Sequence, residues 1–544
     1  MILGMIQTNR FNAFFERGTN FYIVLLLAML VRSFPFGFYY FPFSDDFNAY
    51  GVYSLYHENL WSNVVIPYVL YGFRPLAGLL DAYVVSRFWP NLAVVLLAIT
   101  LLQFATIVLL DKVLTRCGIV WGRAAAVFFA FFPTLTESVY WISASARIVT
   151  SAFFALLAGY AILKFIHREG RYRLWLAVAL CAGLLAQGFY EQGIVFAFVV
   201  TFGVLVLHWR AVRPRALFVW PFVNLAIIGT HYVFFREVSQ LGPRAQAADN
   251  IFAQIPLVAD RIFTTFVREQ GPTILNTFRW GFGQMFTEYL PLTMLVLLFS
   301  ALLALFVVFE RHEPPLSRRA AGRSALAGLA LAGSTLMIFF VLAESWVWVR
   351  NFFFTVIGIA VFVELVARVV RSTRLRVTVG KAVAAFLAIF LFFSGFVLEI
   401  DSIRRVERYD RQIVAHLIDE VARLRPGDEV DRVWLFGVQW VYGPTINQRI
   451  TSQVRLDWAL DGYYLALTGT RAEQRAWWLR PVMDGQDTDI DFTHDILLGL
   501  DLGADGQRPL LRVRELRFED GALVFADTGE VFGLIDQDGI FTQS

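Results

Sequence analysis

The sequence predicts an α-helical polytopic membrane protein with a small α/β domain at its C-terminal end. Three observations predict it. Of 544 residues, 57% are apolar and 17% charged, whereas soluble chains run closer to half apolar and a quarter charged. Apolar runs near bilayer length recur between residues 21 and 399, and about 20 apolar residues cross a hydrocarbon core as a helix. The segments between these runs alternate between basic and non-basic, the pattern set by the preference of Lys and Arg for the cytoplasmic side.

The expected spans are roughly 21–41, 89–110, 124–142, 147–165, 174–189, 192–208, 216–235, 289–309, 324–343, 351–367 and 379–399, about eleven in all. Arg10 and Arg17 precede the first run, which is long and ends without a small-residue cleavage site; it reads as a retained helix rather than a removed leader. The segments 111–123, 164–173, 208–215, 310–323 and 367–381 are basic and are expected in the cytoplasm with the amino terminus. The segments 42–88, 236–288, the corners near 141–147, 189–193 and 344–350, and the tail then fall on the extracytoplasmic side. A bacterial inner membrane is the expected location.

The first outer segment is rich in Tyr and Trp, residues suited to the membrane interface. Within it, 47–60 and 75–87 have the pattern of amphipathic helices lying on the bilayer. From residue 401 the composition changes. An amphipathic helix is expected near 402–424, followed by a turn leading into a strand over 425–437 and short β-like runs around 510–516, 522–527 and 530–535. The expected division is a membrane domain over 1–400 and a soluble extracytoplasmic domain over 401–544.

Composition also excludes. The net charge of +3 sums basic loops and a mixed tail and gives no argument for nucleic acid. Two cysteines, Cys117 in a basic loop and Cys181 in a span, imply no disulfide framework. The seven histidines are scattered without metal-ligand spacing, and there is no phosphate-cradling glycine loop or nucleophile elbow.

The charges near span ends on the non-basic side carry the functional argument. Asp45 and Asp46 follow the first span directly. Ionised groups near lipid are costly and usually functional; two adjacent carboxylates raise one pKa and poise a general base, or they hold a metal, or one caps a helix. Arg74 precedes Pro75, a favourable first helical residue, and offers a guanidinium for a phosphate or for lipid headgroups. Glu137 and Arg147 flank one outer corner and read as a site pair or as a stitch between two helices. Glu191 sits at a hairpin tip, in the site or in a solvated turn. Glu344 and Arg350 bracket a Trp-rich corner. Arg32 lies within the first span and must reach the interface or a partner.

Taken in order, the acidic pair after the first span, Arg74-Pro75-Leu76, Pro133 with Glu137 and Arg147, and Glu191 resemble the GT-C class of polytopic glycosyltransferases. The likeness is to the O-mannosyltransferases that combine a transmembrane region with TPR repeats, and to bacterial relatives. It covers about residues 20–200 and not the tail, which has no such repeats. Phe132 and Tyr190 stand where that family has His and Lys.

The resemblance implies an inverting transfer of a sugar from a polyprenyl-phosphate donor to a glycan, lipid or protein acceptor. It makes Asp45 or Asp46 the catalytic acid–base group, or a holder of a divalent cation as in metal-using relatives, with no other cofactor. It makes Arg74, Arg147 and Arg350 the ligands of the donor phosphate, with Glu137, Glu191 and Glu344 supporting the cavity. Two other readings stand beside it: a transporter or flippase of a lipid-linked sugar, which predicts charges and broken helices near the bilayer midplane and is disfavoured by their clustering at one surface, and a glycan polymerase or ligase using a lipid diphosphate, which shares the outer-face arginines.

Overall fold

The computed structural model describes residues 14–43, 45–69, 74–235, 251–264, 270–310, 316–341, 349–369, 374–424, 426, 430–438, 454, 457–470, 477–483, 486, 488–491, 494–503, 510–536 and 540–543. Five of its helical stretches are long and apolar enough to cross a membrane: Ala93–Arg116, Ile142–Ile166, Leu290–Val308, Val349–Val369 and Val377–Leu424. Shorter apolar helices lie beside them.

In chain order the membrane region contains α1 (Gly18–Ser33), α2 (Pro75–Tyr83), α3 (Ala93–Arg116), α4 (Arg123–Ala130), α5 (Thr136–Val139), α6 (Ile142–Ile166), α7 (Tyr172–Gln187), α8 (Glu191–Leu207), α9 (Trp220–Phe235), α10 (Ile251–Phe263), α11 (Gln270–Thr287), α12 (Leu290–Val308), α13 (Arg318–Ser334), α14 (Met337–Val341), α15 (Phe353–Val369) and α16 (Arg374–Leu424). The bundle packs α6 against α3, α7 and α8, α13 against α15, and α12 against α16. At the α13–α15 crossing, a Cβ on Gly358 would overlap the Gly328 carbonyl. Small residues allow this close backbone approach, the usual device for packing helices where lipid supplies no hydrophobic drive.

Four expectations change. The run 124–142 is not one span: α4 ends at Ala130, Pro133 lies in the turn beyond it, and only the one-turn α5 precedes α6. At 1.5 Å per residue the eight residues of α4 reach about 12 Å. The run 324–343 likewise breaks after Ser334. The outer stretches 47–60 and 75–87 are not continuous amphipathic helices. The first is the wide helical turn Phe47–Val52 and the tight turn His57–Asn59, the second is α2 and the tight turn Val85–Phe88, and a further wide turn, Trp61–Val69, lies between them.

α16 is the largest departure. The last span and the amphipathic tail helix form one helix of 51 residues, about 76 Å long at 1.5 Å per residue. It passes through residue 400 unbroken. A hydrocarbon core is about 30 Å thick, so half of α16 projects beyond it. The projecting half is stiffened by i,i+4 pairs, Arg405 with Asp401 and Arg411 with Glu407.

The tail forms on this mast. Strands β1 (Arg432–Phe436), β2 (Trp478–Val482), β3 (Ile496–Gly503), β4 (Leu510–Glu519), β5 (Ala522–Phe525), β6 (Val531–Ile535) and β7 (Phe541–Gln543) make one sheet in the order β2-β1-β3-β4-β5-β6-β7. β1 pairs parallel with β2 and β3, and the remaining ladders are antiparallel. Ile413, Val414, Leu417 and Val421 of α16 bury against Val433, Leu435, Leu498 and Leu500 of the sheet. α17 (Asp457–Thr468) turns back to the membrane region: the Phe47 ring stacks on Tyr463 with centroids 3.6 Å apart.

The basic segments meet at one end of the bundle. Arg116 pairs with Glu169 at 2.7 Å, Lys381 with Glu364 at 2.6 Å, and Arg323 donates to the Cys117 carbonyl at 3.2 Å. The Arg123 guanidinium donates to the Phe15 and Phe306 carbonyls, each at 2.7 Å. The other charges of interest gather at the opposite end. Arg32 does not reach the surface, and among the described residues it meets no carboxylate. It is buried, donating to Gln103 at 2.6 Å and to the Ala130 carbonyl at 2.8 Å.

Candidate functional site

α6 begins at the end of the bundle opposite the basic loops, and its first turns organise the site. Its leading amides need acceptors that a helix start cannot supply internally. The buried Asp46 carboxylate supplies one: it accepts from the Ser143 amide at 3.2 Å and the Ser143 hydroxyl at 2.7 Å. It also accepts from the Tyr40 hydroxyl at 2.6 Å and the Phe43 amide at 3.2 Å. The Tyr40 oxygen in turn accepts from the Ile142 amide at 3.1 Å. Asp46 thus caps a distant helix rather than its own. Burial pushes its pKa up to about 7 against the lowering effect of the Tyr40, Ser143 and Phe43 donors, and the charge of Asp45 adds to the rise. Burial, with the Asp46 charge next, holds the Tyr40 hydroxyl well above the usual phenol range.

One turn further along α6, Arg147 pairs with Asp81 of α2 at 2.7 Å. The Asp81 carboxylate also accepts from the Tyr50 hydroxyl at 3.3 Å. A Glu137–Arg147 stitch, one of the two readings of that corner, does not form. Instead the nearly buried Glu137 takes the guanidinium of Arg350, whose backbone amide lies 3.4 Å from the same carboxylate. The Ser138 hydroxyl donates to the Arg350 carbonyl at 3.2 Å, and the guanidinium lies 5.2 Å from the Trp141 ring centroid. The corner thus ties α5 to the turn before α15, where a Glu137–Arg147 stitch would have tied α5 to α6.

The third pair is Arg74 with Glu191, at 2.6 Å. Leu76 and Ala77 donate their amides to the Gly188 carbonyl at 3.1 and 3.3 Å, so the Arg-Pro-Leu turn seats on the hairpin that presents Glu191. Pro75 opens α2 and cannot compete for that carbonyl, since it lacks an amide hydrogen. The Arg74 guanidinium stacks 4.6 Å from the Tyr190 ring centroid. Glu191 is therefore partnered and not part of a solvated turn. Asn351 donates to the Tyr190 hydroxyl at 3.0 Å, joining this pair to the Arg350 corner.

The three pairs form one electrostatic unit. Asp45 lies within electrostatic reach of both Arg147 and Arg350, and Glu191 feels Arg147 as well as Arg74. Each carboxylate fixes one edge of its guanidinium, while the arginines stay partly open: the side chains of Arg74, Arg147 and Arg350 are 31%, 20% and 17% exposed. A guanidinium carries five donors in a planar fork, a geometry suited to an anion as well as to the carboxylate that holds it.

Unsatisfied groups concentrate here. Buried polar atoms without a partner are rare, and each calls for a reason. Among the described residues, the short segment 136–147 holds four: Thr136 Oγ1, Trp141 Nε1, Ser145 Oγ and Arg147 Nε. All four can donate a hydrogen. A ligand rich in acceptor oxygens would satisfy them.

Of the expected site residues, the structure brings together Asp45, Asp46, Arg74, Glu137, Arg147, Glu191 and Arg350. Glu344 lies outside the described residues, as do 236–250 of the second long outer segment. Sequence reasoning passed over Asp81, Tyr40, Tyr50 and Ser143. Asp81 was findable as the single acid in the apolar stretch 76–85. Ser143 and Tyr40 gave no signal, because their role depends on a contact across about a hundred residues. Among the described residues, no three His, Cys, Asp or Glu side chains group as a metal site would require.

No described protein family matches this sequence, and no curated protein does. Among solved structures, ArnT from Cupriavidus metallidurans bound to undecaprenyl phosphate is 14% identical, covering 88% of this chain and 92% of that one with a TM-score of 0.32. That score lies below what a shared fold requires, so the reading of this protein rests on its own residues.

Proposed function

We propose that this protein is an integral membrane glycosyltransferase that moves a sugar from a polyprenyl-phosphate donor to an acceptor hydroxyl at the face opposite its basic loops. The observation that carries this reading is the outer corner: three carboxylate-anchored arginines share one electrostatic unit with Asp45, beside four buried donors that lack acceptors.

The chemistry follows from the charges. Asp45 takes the proton of the acceptor hydroxyl as its oxygen bonds to the anomeric carbon. The bond between that carbon and the phosphate oxygen breaks, and the electron pair leaves with the polyprenyl phosphate. Attack opposite the leaving group inverts the anomeric configuration. Negative charge grows on the phosphate as the bond breaks, and fixed guanidinium groups stabilise charge where it develops. Arg147 and Arg350, both within electrostatic reach of Asp45, take this role, with Arg74 at the rim. Asp46, already accepting four hydrogen bonds, positions the start of α6 and with it Arg147.

The test is transfer by the purified protein in vesicles containing glycosyl polyprenyl phosphates and membrane extract as acceptor, read as release of polyprenyl phosphate. Asp45→Asn is expected to abolish release with the thermal unfolding profile unchanged. Full release in that variant, or movement of donor across the bilayer without any covalent product, overturns the reading.

A further inference from the structure

A second feature lies at the other end of the molecule and owes nothing to the outer corner. Between α3, α8 and α13 there is an apolar cavity of about 200 Å³, beginning where the basic loops meet. Val113, Leu114, Val204, Leu207, Leu326 and Leu331 line it, and Phe196 and Ile357 form its deep end. Its walls are nearly free of polar atoms. Apolar cavities do not retain water even when far larger than one molecule needs, so an aqueous solute does not fit it. Leu207 and Leu326 at its edge are exposed, on a surface that faces the bilayer if the flanking helices span it.

Gly203 lines the cavity, and a Cβ built there meets nothing within 4 Å. Space therefore opens directly off the α8 backbone. The charged group in the lining is Arg323. One of its donors is spent on the Cys117 carbonyl, which fixes the guanidinium at the basic end, and its remaining donors meet no acceptor among the described residues. Arg318 and Arg319, on the first turn of the same helix, are exposed. An apolar slot with a fixed cation at its interfacial end matches an amphipathic anion with a hydrocarbon tail.

We propose that this cavity is a lipid site of the leaflet that meets the basic loops: it takes one acyl chain of an anionic glycerophospholipid, whose phosphate rests on Arg323. The position selects the occupant. A membrane-embedded slot sees phospholipid at far higher concentration than any other amphiphile, and a basic residue at the surface adds attraction for anionic headgroups.

The test uses the full-length protein in mild detergent, equilibrated in turn with dioleoyl phosphatidylglycerol, dioleoyl phosphatidylcholine and polyprenyl phosphate, with retained lipid counted by native mass spectrometry. The native protein is expected to retain one phosphatidylglycerol. Arg323→Gln is expected to lower that retention about fivefold, the equivalent of roughly 1 kcal/mol for one basic residue at a lipid surface, and to leave phosphatidylcholine unchanged. Gly203→Leu fills the open space and is expected to reduce retention of both phospholipids at least tenfold. Leu326→Trp narrows the mouth from an exposed position and tests the same point without touching packed helices. The proposal is overturned if neither Gly203→Leu nor Leu326→Trp lowers phospholipid retention, or if polyprenyl phosphate is what the native cavity retains in preference.

Discussion

Asp46 and Ser143 stand 97 residues apart, yet one carboxylate oxygen takes both the amide and the hydroxyl hydrogen of Ser143 at the start of α6. The same carboxyl is buried and its pKa is pushed up to about 7. The sign follows. In the unfolded chain the group ionises near pH 4; in the folded chain it holds its proton to about pH 7. Between these values the native state binds more protons than the unfolded state, so this group's contribution to stability falls as pH rises and levels off above about 7. The span of about three pH units corresponds to at most ~4 kcal/mol. Asp46→Asn removes the titration. The melting temperature of the native protein minus that of the variant is expected to decrease from pH 4.5 to 7.5 in detergent. A constant difference would show that burial does not govern this carboxyl.

The Glu137–Arg350 contact makes a prediction of a different kind. Glu137 is almost fully buried and Arg350 is 17% exposed. Removing one member of a largely buried pair destabilises strongly, because the other charge stays behind. Glu137→Gln is expected to cost about 3 kcal/mol, and Arg350→Met a similar amount. The double variant should recover part of the loss, giving a coupling energy above about 1 kcal/mol in a double-mutant cycle. Strict additivity would mean that the pair does not hold the corner together.

How much of this was readable beforehand follows from the range of each interaction. The membrane class and the alternation of basic segments are properties of composition and local order, so they were legible. So was the clustering of lone charges on the non-basic side, because span ends fix which residues share a face. Partner choice was not. Glu137 and Arg147 are ten residues apart and invite pairing, but Pro133 ends α4 early and the one-turn α5 points Glu137 at Arg350 instead. The continuity of α16 was hidden for a related reason. A shift from apolar to charged residues at 400 reads as a domain boundary, yet a helix crosses from lipid to water without breaking when no Pro interrupts it, and Gly380 and Gly395 are tolerated within this one.

Asp81 and Arg147 separate positioning from folding. Among the described residues Arg147 has a buried, unpartnered Nε, and Asp81 holds its other edge at 2.7 Å. Asp81→Asn keeps the size and the hydrogen-bond acceptor but removes the charge that fixes the guanidinium. Misplacing a binding group by about 1 Å costs up to 10²-fold. The variant is expected to lose roughly 10- to 100-fold in kcat/KM for the lipid donor, mainly through kcat, while remaining folded. Arg147→Lys is expected to lose at least as much, since an ammonium cannot reproduce a planar two-edged contact. Unchanged donor dependence in both variants would remove Arg147 from the phosphate site.

Phe47 follows the acidic pair directly, and its ring lies on Tyr463 of α17 with an interplanar angle of 21°. Trp89 meets Phe47 edge-on at 5.3 Å, and a side chain on Gly51 would strike Ala466. The tail domain thus presses on the turn that presents Asp45 and Asp46. Tyr463→Ala removes the ring and is expected to loosen this contact, raising the rate of limited proteolysis in the tail and lowering transfer several-fold. Tyr463→Phe should behave otherwise. Among the described residues the Tyr463 hydroxyl is buried without a partner, and deleting an unsatisfied polar group while keeping the ring is neutral or stabilising. The pair of variants therefore distinguishes packing from hydrogen bonding: tail protection and activity lost in the alanine variant and retained in the phenylalanine variant would show that the stacked ring couples the two regions. Equal loss in both would assign the effect to the hydroxyl and break the argument from stacking.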